Sequence, residues 1–340
     1  MSGLSAPLKR VLEGGELTRA QARAALSAIA DGEGTPAQLG AFLAALRLRG
    51  ERYEELVGFA QVMRSRLVPV RVRRGPLLDT CGTGGDGHGT FNISTTAAFI
   101  AAGAGAIVAK HGNRGVSSKC GSADVLAALG VRTDLTGARA ARCIETAGIG
   151  FLFAPAHHPA MLALALIRRE LGVRTVFNAL GPMSNPANPR RQLMGVYAES
   201  LLEPVARALG ELGSARALVV RSRDGLDEFS LGAATLVADW DGRRVRRYAV
   251  DPRALGLKRA PISALKGGDA RRNAAIALEV LSGERGPRRD VCALNAGAAL
   301  VAGGLAPDLK RGLLIAYQAI DSGRAMGALE ALRKASHGRA

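Results

Sequence analysis

The chain has 340 residues, of which 48% are hydrophobic and 22% are charged. At the usual ~100–200 residues per domain, this length predicts about two domains with a sizeable core and excludes a largely disordered chain. We find no uninterrupted apolar stretch of the roughly 18 residues that a membrane span needs, and the first residues lack the pattern of a signal peptide. The four cysteines form no CxxC pair. These features argue against a disulfide scaffold and a zinc ribbon, and they predict a reduced, cytoplasmic protein.

The charge balance is strongly basic, with 46 Lys and Arg residues against 29 Asp and Glu residues, a formal net charge of +17. Such an excess is typical of proteins that bind nucleic acids or anionic substrates. The aromatic content of only 4% argues against stacking platforms for single strands. The densest basic run is at residues 243–247, and the remaining excess is scattered. Charge alone therefore leaves a nucleic acid, an anionic substrate and an arginine-rich solvated surface as open alternatives.

The first part of the chain has the pattern of a small helical domain, residues 1–75. Thr18 and Gln21 form a capping-box pattern that predicts a helix to about residue 30. Thr35 and Gln38 repeat that pattern, with a proline at the first helical position. Apolar residues at helical spacing continue to about residue 67, which predicts three helices in total.

From residue 76 onward the pattern alternates between strands, loops and helices. Helices are predicted at 95–102, 124–129 and 137–147. Strands are predicted at 76–80, 106–110, 149–153, 175–178 and 216–220, with a hairpin of 234–239 and 246–250. This alternation predicts a mostly parallel sheet with helices on its faces and ligands at the carboxyl ends of its strands. We therefore expect an α/β fold: a small all-helical N-terminal domain, 1–75, and a larger α/β domain, 76–340.

The first chemically informative loop follows the strand at 76–80. Five of the eight residues 82–89 are glycines, which let backbone amides approach an anion without Cβ obstruction. The hydroxyls of Thr90, Ser94 and Thr95, with the free amides at the start of the next helix, complete a phosphate cradle. The loop lacks the Gly-Lys-Ser/Thr of a Walker A motif and the GxGxxG spacing of a dinucleotide site. The pattern favours a phosphate site over a simple tight turn.

The second loop, residues 110–124, follows the next strand and should emerge at the same edge of the sheet. Its three cations and three serines suit a diphosphate, which offers many acceptor oxygens. The alternative is a solvated basic turn.

A third loop carries Asp227 and Glu228, which could converge on Mg²⁺, an ion commonly held by one or two carboxylates plus substrate phosphates. These three loops together predict an anion site with a counter-ion.

A fourth segment contains His157 and His158 and leads into a helix with Arg168. No Cys, His or Asp spacing around the histidines supports zinc, so we interpret them as pocket-lining residues at most. Arg168 is a candidate clamp for a carboxylate, because a guanidinium group binds carboxylates with two parallel hydrogen bonds. This segment predicts the acceptor side of the site.

Taken together, residues 79–86, 110–118, 168–182 and 224–228 resemble the anthranilate phosphoribosyltransferase family of tryptophan biosynthesis. The resemblance implies transfer of the phosphoribosyl group of phosphoribosyl diphosphate (PRPP) to anthranilate, with release of diphosphate. It also implies a nucleoside phosphorylase/phosphoribosyltransferase-like fold and a homodimer formed through the helical domain. In the family, helices near 160–182 join the helical domain in space.

The resemblance also implies roles for individual positions. Asp86, Lys110, Asn113 and Arg114 would serve catalysis, whereas Ser94, Asp227 and Glu228 would hold Mg²⁺, as two ions. Anthranilate would bind at Gly82, Asn113, His158 and Arg168, with His111 and Pro182 as neighbours. PRPP would bind at Gly82, Gly85, Asp86, Thr90, Asn92, Ile93, Ser94, Thr95, Lys110, His111, Gly112, Asn113, Arg114, Gly115, Val116, Ser117, Ser118 and Ser122.

The sequence departs from the family pattern at two places on the acceptor side. Met161-Leu162-Ala163 stands where the family often has Met-Lys-His, and Arg221-Ser222 stands where it often has His-Gly.

Two rival functions remain. A nucleoside phosphorylase of the same architecture would usually show Lys-His-Ser-Thr-Gly-Gly in its loop, whereas a non-catalytic basic relative would bind nucleic acid and would account for the net charge of +17.

Overall fold

The structure is a computed structural model that describes residues 3–115, 119–161 and 163–338. It begins with four helices, α1 (Ser5–Leu12), α2 (Arg19–Ala30), α3 (Pro36–Arg49) and α4 (Tyr53–Ser65). Three of them, α2 to α4, lie where the sequence predicts helices. The predicted helical start of the chain is thus confirmed, with α1 as an additional short helix.

Both predicted capping boxes form. The Gln21 amide N–H donates to the Thr18 hydroxyl over 3.3 Å, and the Gln21 side chain accepts from the Thr18 N–H over 3.0 Å. Thr35 and Gln38 make the same reciprocal pair at 3.2 and 3.0 Å. Each box satisfies two backbone donors that the first turn would otherwise leave without partners, which is why α2 and α3 begin where they do.

The rest of the described chain forms the α/β part. Its strands are β1 (Leu77–Asp79), β2 (Ile107–Gly112), β3 (Ile149–Phe153), β4 (Arg191–Gly195), β5 (Arg216–Ser222), β6 (Thr235–Trp240) and β7 (Val245–Val250). Its helices are α5 (Ile93–Gly103), α6 (Ser122–Ala128), α7 (Gly137–Ala147), α8 (Ala154–His157), α9 (Ala163–Leu171), α10 (Val176–Met183), α11 (Leu202–Glu211), α12 (Ala270–Leu281), α13 (Pro287–Ala302), α14 (Leu309–Asp321) and α15 (Arg324–His337).

Within the described residues these strands form one seven-stranded sheet in the order β3-β2-β1-β4-β5-β6-β7. The five strands from β3 to β5 are parallel, whereas β6 and β7 pair antiparallel as the predicted hairpin. The predicted mostly parallel sheet is confirmed. The carboxyl ends of β1, β2, β4 and β5 therefore meet at one edge, where the loops that follow them can act together.

The predicted strand at 175–178 is wrong. Val176 begins α10, and the Thr175 N–H is capped by the Asn178 side chain at 3.1 Å. The β-branched residues there suggested a strand, but this local cap and burial against the helical domain favour the helix. The central strand that the sequence pattern missed is β4, which begins with the polar pair Arg191-Gln192. Gln192 is accommodated in the interior because its side-chain amide donates to the Pro182 carbonyl over 2.9 Å.

The sheet separates two hydrophobic cores. Alternate residues of β5 enter different cores: Leu218 and Val220 pack among the helices of the α/β part, whereas Ala217 and Val219 pack toward the helical domain. The second core is continuous from α2, α3 and α4 through α9, α10 and α11 to the sheet. Residues of the long segment between β3 and β4 thus contribute to the same core as the first four helices.

None of the helices within the described ranges is both long enough and apolar enough to cross a membrane.

Candidate active site

Asp79 anchors the edge of the sheet where the loops converge. Its side chain is fully buried, and one carboxylate oxygen accepts the N–H groups of Cys81 at 3.1 Å and His111 at 3.2 Å. The other oxygen accepts from the Asn185 amide at 2.8 Å. Burial raises the pKa of Asp79 to about 6, although the nearby positive charge of Lys110 opposes the rise. Asp79 therefore joins the start of the first loop to β2, the strand that leads into the second.

Four residues of the glycine loop have backbone conformations that favour glycine. Gly84, Gly85, Gly87 and Gly89 have φ angles of 62°, 75°, 80° and 63°, in the left-handed region where side chains are strained. The loop is tied to the end of β4, because the Thr83 N–H donates to the Gly195 carbonyl over 2.9 Å. The backbone thus holds an open, amide-rich turn at the carboxyl end of β1.

The residues of the glycine loop also lie close to neighbouring segments. A Cβ on Gly82 would lie 3.1 Å from the Gly195 carbonyl oxygen, and one on Gly85 would lie 3.1 Å from Nε of Arg174. Asp86 is partly exposed, and its carboxylate accepts from the His88 N–H at 3.0 Å. Gly82, Gly85 and Asp86 therefore lie together in one loop, as the sequence predicts.

The N-terminus of α5 completes this side of the site. Ile93 and Thr95, two of the predicted PRPP residues, are buried at 1% and 3% exposure. Ser94 faces the neighbouring loops instead. Thr90 forms an antiparallel bridge with Lys266, and Asn92 is the residue that precedes α5.

Lys110 is the buried cation of the site. Its ammonium group lies 3.3 Å from both the carbonyl and the hydroxyl oxygen of Thr80, and 3.5 Å from the Ser94 hydroxyl. The side chain is 3% exposed. These hydrogen-bond partners are neutral, whereas the carboxyls of Asp79 and Glu228 lie near enough for the charge of Lys110 to oppose the rise of their pKa values. A buried charge is costly unless such opposite charges or a bound anion lie close to it. Lys110 therefore connects the first two loops and leaves a positive charge at their junction.

The predicted carboxylates lie beside that cation. Glu228 accepts the Ser94 N–H at 3.2 Å, and Asp227 is 8% exposed. Burial raises the pKa of both carboxyls; Asp86 raises that of Asp227 further, and Asp227 raises that of Glu228. Three carboxyl groups that disfavour one another's charge form a site that a divalent cation would stabilise.

The donor set fits Mg²⁺ when substrate oxygens take part. Among the described side chains, no group of three or more His, Cys, Asp or Glu could by itself hold a metal ion. Mg²⁺ is usually bound by one or two carboxylates together with waters and substrate phosphates, rather than by an all-protein cage. Asp227 and Glu228, with the Ser94 hydroxyl close by, satisfy that requirement.

Gly195 is a site residue that sequence reasoning missed. A Cβ at this position would overlap the carbonyl oxygen of Asp227, so only glycine lets the carboxylate loop lie against the end of β4. A glycine in a buried strand pattern often marks such a close backbone approach, but the strand itself was not predicted. Gly195 was therefore missed because β4 itself was not predicted.

The second loop is folded around Asp124. One oxygen of Asp124 accepts the N–H groups of Gly115 and Gly121, both at 2.9 Å, and the other pairs with Arg114 at 3.1 Å. Although partial burial opposes it, these hydrogen bonds lower the pKa of Asp124. The Arg114 side chain is 63% exposed, so it is free to turn toward an anion at modest cost.

The same loop holds the other predicted residues of this region. The Asn113 carbonyl accepts from the Ser122 hydroxyl at 3.2 Å, and its side-chain oxygen accepts from the Arg114 N–H at 2.8 Å. A Cβ on Gly112 would overlap the Ser122 hydroxyl. Val116, Ser117 and Ser118, which complete the predicted loop, lie outside the described residues.

Two buried histidines, His111 and His158, lie close together beside α10. The Nδ1 atom of His111 lies 3.0 Å from the Gly181 carbonyl, and its ring centroid lies 5.3 Å from that of His158. Burial lowers the pKa of His111 to about 3 and that of His158 to about 4. The Nε2 atoms of both rings are buried and have no hydrogen-bond partner among the described residues. Both nitrogens are therefore buried hydrogen-bonding atoms without a partner among the described residues, which is unusual in a protein interior.

Arg168, which belongs to α9, packs against α10. Its guanidinium group lies 5.5 Å from the ring centroid of Phe177 in α10, the helix that also supplies the Gly181 carbonyl. Burial lowers the pKa of Arg168. A half-buried guanidinium without a described carboxylate partner suits a carboxylate ligand.

The two departures from the family pattern have different positions. Leu162 lies outside the described residues. Arg221 donates to the Val196 carbonyl at 3.3 Å, and the Ser222 N–H donates to the Leu226 carbonyl at 2.8 Å. These contacts support the base of the carboxylate loop.

The two anion-loop candidates and the acidic pair lie at the carboxyl edge of a parallel sheet beside a helical bundle, and both parts of this fold match one class of enzyme. Residues 74–326 match the glycosyl transferase family, a/b domain, and residues 7–67 match the glycosyl transferase family, helical bundle domain. Both parts of the fold are thus those of one enzyme class.

Individual relatives narrow the class. The chain is 53% identical over 334 residues to anthranilate phosphoribosyltransferase of Symbiobacterium thermophilum, covering 98% of both chains. It is 56% identical over 325 residues to that of Roseiflexus castenholzii, covering 95% of both. The chain therefore belongs to the anthranilate phosphoribosyltransferase family.

Solved structures agree with this assignment. The crystal structure of anthranilate phosphoribosyltransferase from Thermus thermophilus matches with a TM-score of 0.91 and 45% identity, over 99% of this chain and 100% of that one. The enzyme from Saccharomyces cerevisiae in complex with PRPP and Mg matches with a TM-score of 0.88 and 28% identity, over 98% and 97%. These relatives support the transferase and not the nucleic-acid-binding alternative.

Proposed function

We propose that this chain transfers the phosphoribosyl group of PRPP to the amine of anthranilate, giving N-(5-phosphoribosyl)anthranilate and diphosphate, the second step from chorismate to tryptophan. One observation carries the proposal: Ser94, at the start of α5, contacts both Lys110 of β2 and Glu228 of the loop after β5 at one edge of the sheet. This arrangement suits a substrate with a highly charged leaving group and a bound divalent cation.

The donor side follows from charge. Breaking the bond between the ribose C1 atom and the diphosphate develops negative charge on the leaving group and positive charge on the sugar. Lys110, the exposed Arg114 and the amides of the glycine loop are placed to stabilise the leaving group, and fixed charges of this kind contribute most when they need no reorganisation. Asp86, at the turn of the glycine loop, orients the donor beside Asp227.

The carboxylate pair gives the counter-ion site. We assign Mg²⁺ to Asp227, Glu228 and Ser94, and we propose two ions; the yeast relative was solved with PRPP and Mg. When bound, the ions neutralise charge on the diphosphate and so favour its departure. Without them, burial and mutual repulsion hold the carboxyl pKa values above their ordinary range.

The acceptor side suits an aromatic amine with a carboxylate. Arg168 binds the carboxylate, whereas Asn113, Gly82 and the imidazole of His158 position the amine, with His111 and Pro182 beside them. A yeast relative was solved in complex with 4-fluoroanthranilate. Because the histidines are neutral and buried, orientation rather than strong base catalysis contributes most of the acceptor's activation, and no covalent enzyme intermediate is required.

The test uses the natural fluorescence of anthranilate. We expect the protein to abolish that fluorescence only when PRPP and Mg²⁺ are both present, with stoichiometric formation of diphosphate. Fluorescence that persists with all three components, together with DNA binding that weakens steeply as salt rises, would instead support the nucleic-acid-binding alternative. Phosphate-dependent cleavage of nucleosides would support the phosphorylase.

Three further properties belong to this proposal. We propose that residues 1–75 and 76–340 are the two domains, with the helices near 160–182 joined to the first; the continuous core from α3 and α4 to α9 and α10 supports this. A homodimer through the helical domain is supported by the exposed leucines of α1, α3 and α9. A cytoplasmic location agrees with Cys81, Cys143 and Cys292 being thiols.

A further inference from the structure

A chain of two asparagine side chains joins three separate segments at the edge of the site. Asn273, in the first turn of α12, is 2% exposed. Its side-chain oxygen accepts the Gly268 N–H at 2.7 Å, and its side-chain nitrogen donates to the Asn92 side-chain oxygen at 2.9 Å. The Asn92 side-chain nitrogen in turn donates to the Cys120 carbonyl at 3.3 Å.

The backbone groups at the two ends of this row of hydrogen bonds fix the orientation of both side-chain amides. A backbone N–H can only donate, and a backbone carbonyl can only accept. The Gly268 N–H therefore requires the oxygen of Asn273 to face it, which turns the nitrogen of Asn273 toward Asn92. Neither amide can be flipped without placing two acceptors or two donors against each other.

The segment before α12 lies directly against the glycine loop. The Phe91 N–H donates to the Leu265 carbonyl and the Gly267 N–H donates to the Gly89 carbonyl, both over 3.0 Å. A Cβ on Gly267 would lie 2.7 Å from the Phe91 nitrogen. Residues 265–268 therefore form a short antiparallel clamp on residues 89–91, and Asn273 extends it to the second loop.

We infer that Asn273 is a positioning residue for the phosphoribosyl donor. It acts through Asn92, which precedes α5, and through Cys120, which precedes α6, and so it sets the distance between the two anion loops. The inference rests on the proposed function, because the loops it connects are those assigned to PRPP. A ligand that spans both loops gains affinity when their separation is already set before binding.

The test compares Asn273→Asp and Asn273→Ala with Ser336→Ala. The Asp variant keeps the shape but places an oxygen against the Asn92 oxygen, and the Ala variant removes both hydrogen bonds. Ser336 is a matched control: it is 1% exposed and accepts the Arg132 N–H at 3.1 Å, near the end of α15. Steady-state kinetics with each substrate varied, thermal unfolding and calorimetric titration of PRPP with Mg²⁺ are measured for all four proteins.

For both Asn273 variants we expect the KM for PRPP and its dissociation constant to rise about tenfold, because both lose the oriented buried hydrogen bond to Asn92. The KM for anthranilate should change less than about twofold, and Ser336→Ala should lower Tm with both KM values unchanged. If Asn273→Asp does not fold, the test uses Asn273→Ala, Asn92→Ala and the double variant. The effect of the double variant on the KM for PRPP should be clearly smaller than the sum of the two single effects, because both residues act through the same hydrogen bond.

Two results would overturn the inference. One is a KM for PRPP in the Asn273 variants within twofold of the unchanged protein. The other is a parallel change of both KM values with Tm, which would make Asn273 an ordinary stabilising residue. An unchanged protein that shows no anthranilate-dependent turnover would instead overturn the proposed function, so the two failures are distinguishable.

Discussion

The buried Asp79 carboxyl should make stability depend on pH. Its pKa rises from the ordinary 3.8 to about 6 because of burial. The folded protein therefore holds this proton more tightly than the unfolded chain does, and stability is lost as pH rises from about 4 to about 6. A shift of two pKa units changes the free energy of unfolding by at most about 3 kcal/mol. Asp227, Glu228, His111 and His158 also have shifted pKa values, and they contribute equally to both proteins. In urea unfolding at pH 4, 5, 6 and 7, the free energy of unfolding of the unchanged protein should therefore decline with pH relative to that of Asp79→Asn.

That variant should also be less stable than the unchanged protein at pH 4. Its amide nitrogen would face the Asn185 amide, two donors without an acceptor, where the carboxyl now accepts at 2.8 Å. Equal pH profiles for the two proteins would show that another group causes the decline.

Gly195 should be essential for the geometry of the carboxylate loop. In Gly195→Ala the new Cβ would overlap the Asp227 carbonyl, so the loop is displaced from the end of β4. We expect kcat/KM for PRPP to fall at least about tenfold and the Mg²⁺ concentration for half-maximal rate to rise, since misplaced groups are costly to catalysis. Gly327→Ala in α15, which meets nothing within 4 Å, should leave both unchanged. An active Gly195→Ala enzyme with normal Mg²⁺ dependence would contradict this role.

At the scale of elements, α9 presents one arginine to the site and one to solvent. Arg168 lies against Phe177, whereas the next residue, Arg169, is exposed. Arg168→Ala should raise the KM for anthranilate about tenfold or more and the KM for PRPP much less, because a charge-assisted bond to a carboxylate is lost. Arg169→Ala removes the same charge from the same helix and should leave both KM values unchanged. A larger effect on the KM for PRPP would assign Arg168 to the donor instead.

Local signals made most elements predictable, and distant contacts explain the rest. The boxes of Thr18 and Thr35 are complete within four residues, so the sequence alone located α2 and α3. The segment at 175–178 failed because β-branched residues imitate a strand when the packing partner is not known. β4 was missed for the opposite reason: its first two residues are polar, and neither has its partner within the strand, since Gln192 bonds Pro182 and Arg191 bonds Gly303.

The same distinction applies to the site. The glycine loop, Lys110 and the Asp227–Glu228 pair were recognisable because each is a compact motif of chemically special residues. Asn185, Asn273 and Gly195 carry no local motif, since an isolated asparagine or glycine is common in loops and helices. Their roles come from contacts across more than 30 residues, which no pattern in a single sequence displays.

At the scale of the whole molecule, the net charge of +17 has a partly local explanation. The basic run at 243–247 forms the turn and edge strand β7, where Arg246 pairs with Asp241 at 3.5 Å and Arg247 with Glu199 at 3.6 Å. Charged side chains on an edge strand discourage pairing with another sheet. The run therefore protects the open edge of the sheet, on the opposite side of the strand order from β2 and its anion loop.

The helical domain leaves apolar side chains uncovered. Leu12, Leu48 and Leu166 are 62%, 88% and 52% exposed, and they belong to α1, α3 and α9, of which α3 packs against both of the others. Exposed leucines on neighbouring helices are typical of an interface between chains. Burying one such side chain contributes about 1.5–3 kcal/mol, whereas a carboxylate in its place would be desolvated at considerable cost.

Leu48→Glu should therefore dissociate a dimer. Light scattering of the unchanged protein is expected to give about twice the 35.2 kDa of one chain, and the variant should give the mass of one chain. Leu314→Glu, at a leucine of α14 that is 45% exposed, should keep the dimeric mass. Because Lys110, Ser94 and Glu228 all come from one chain, the monomeric variant should retain the KM for PRPP. An unchanged protein at single-chain mass, or dissociation by Leu314→Glu alone, would place the interface elsewhere or exclude it.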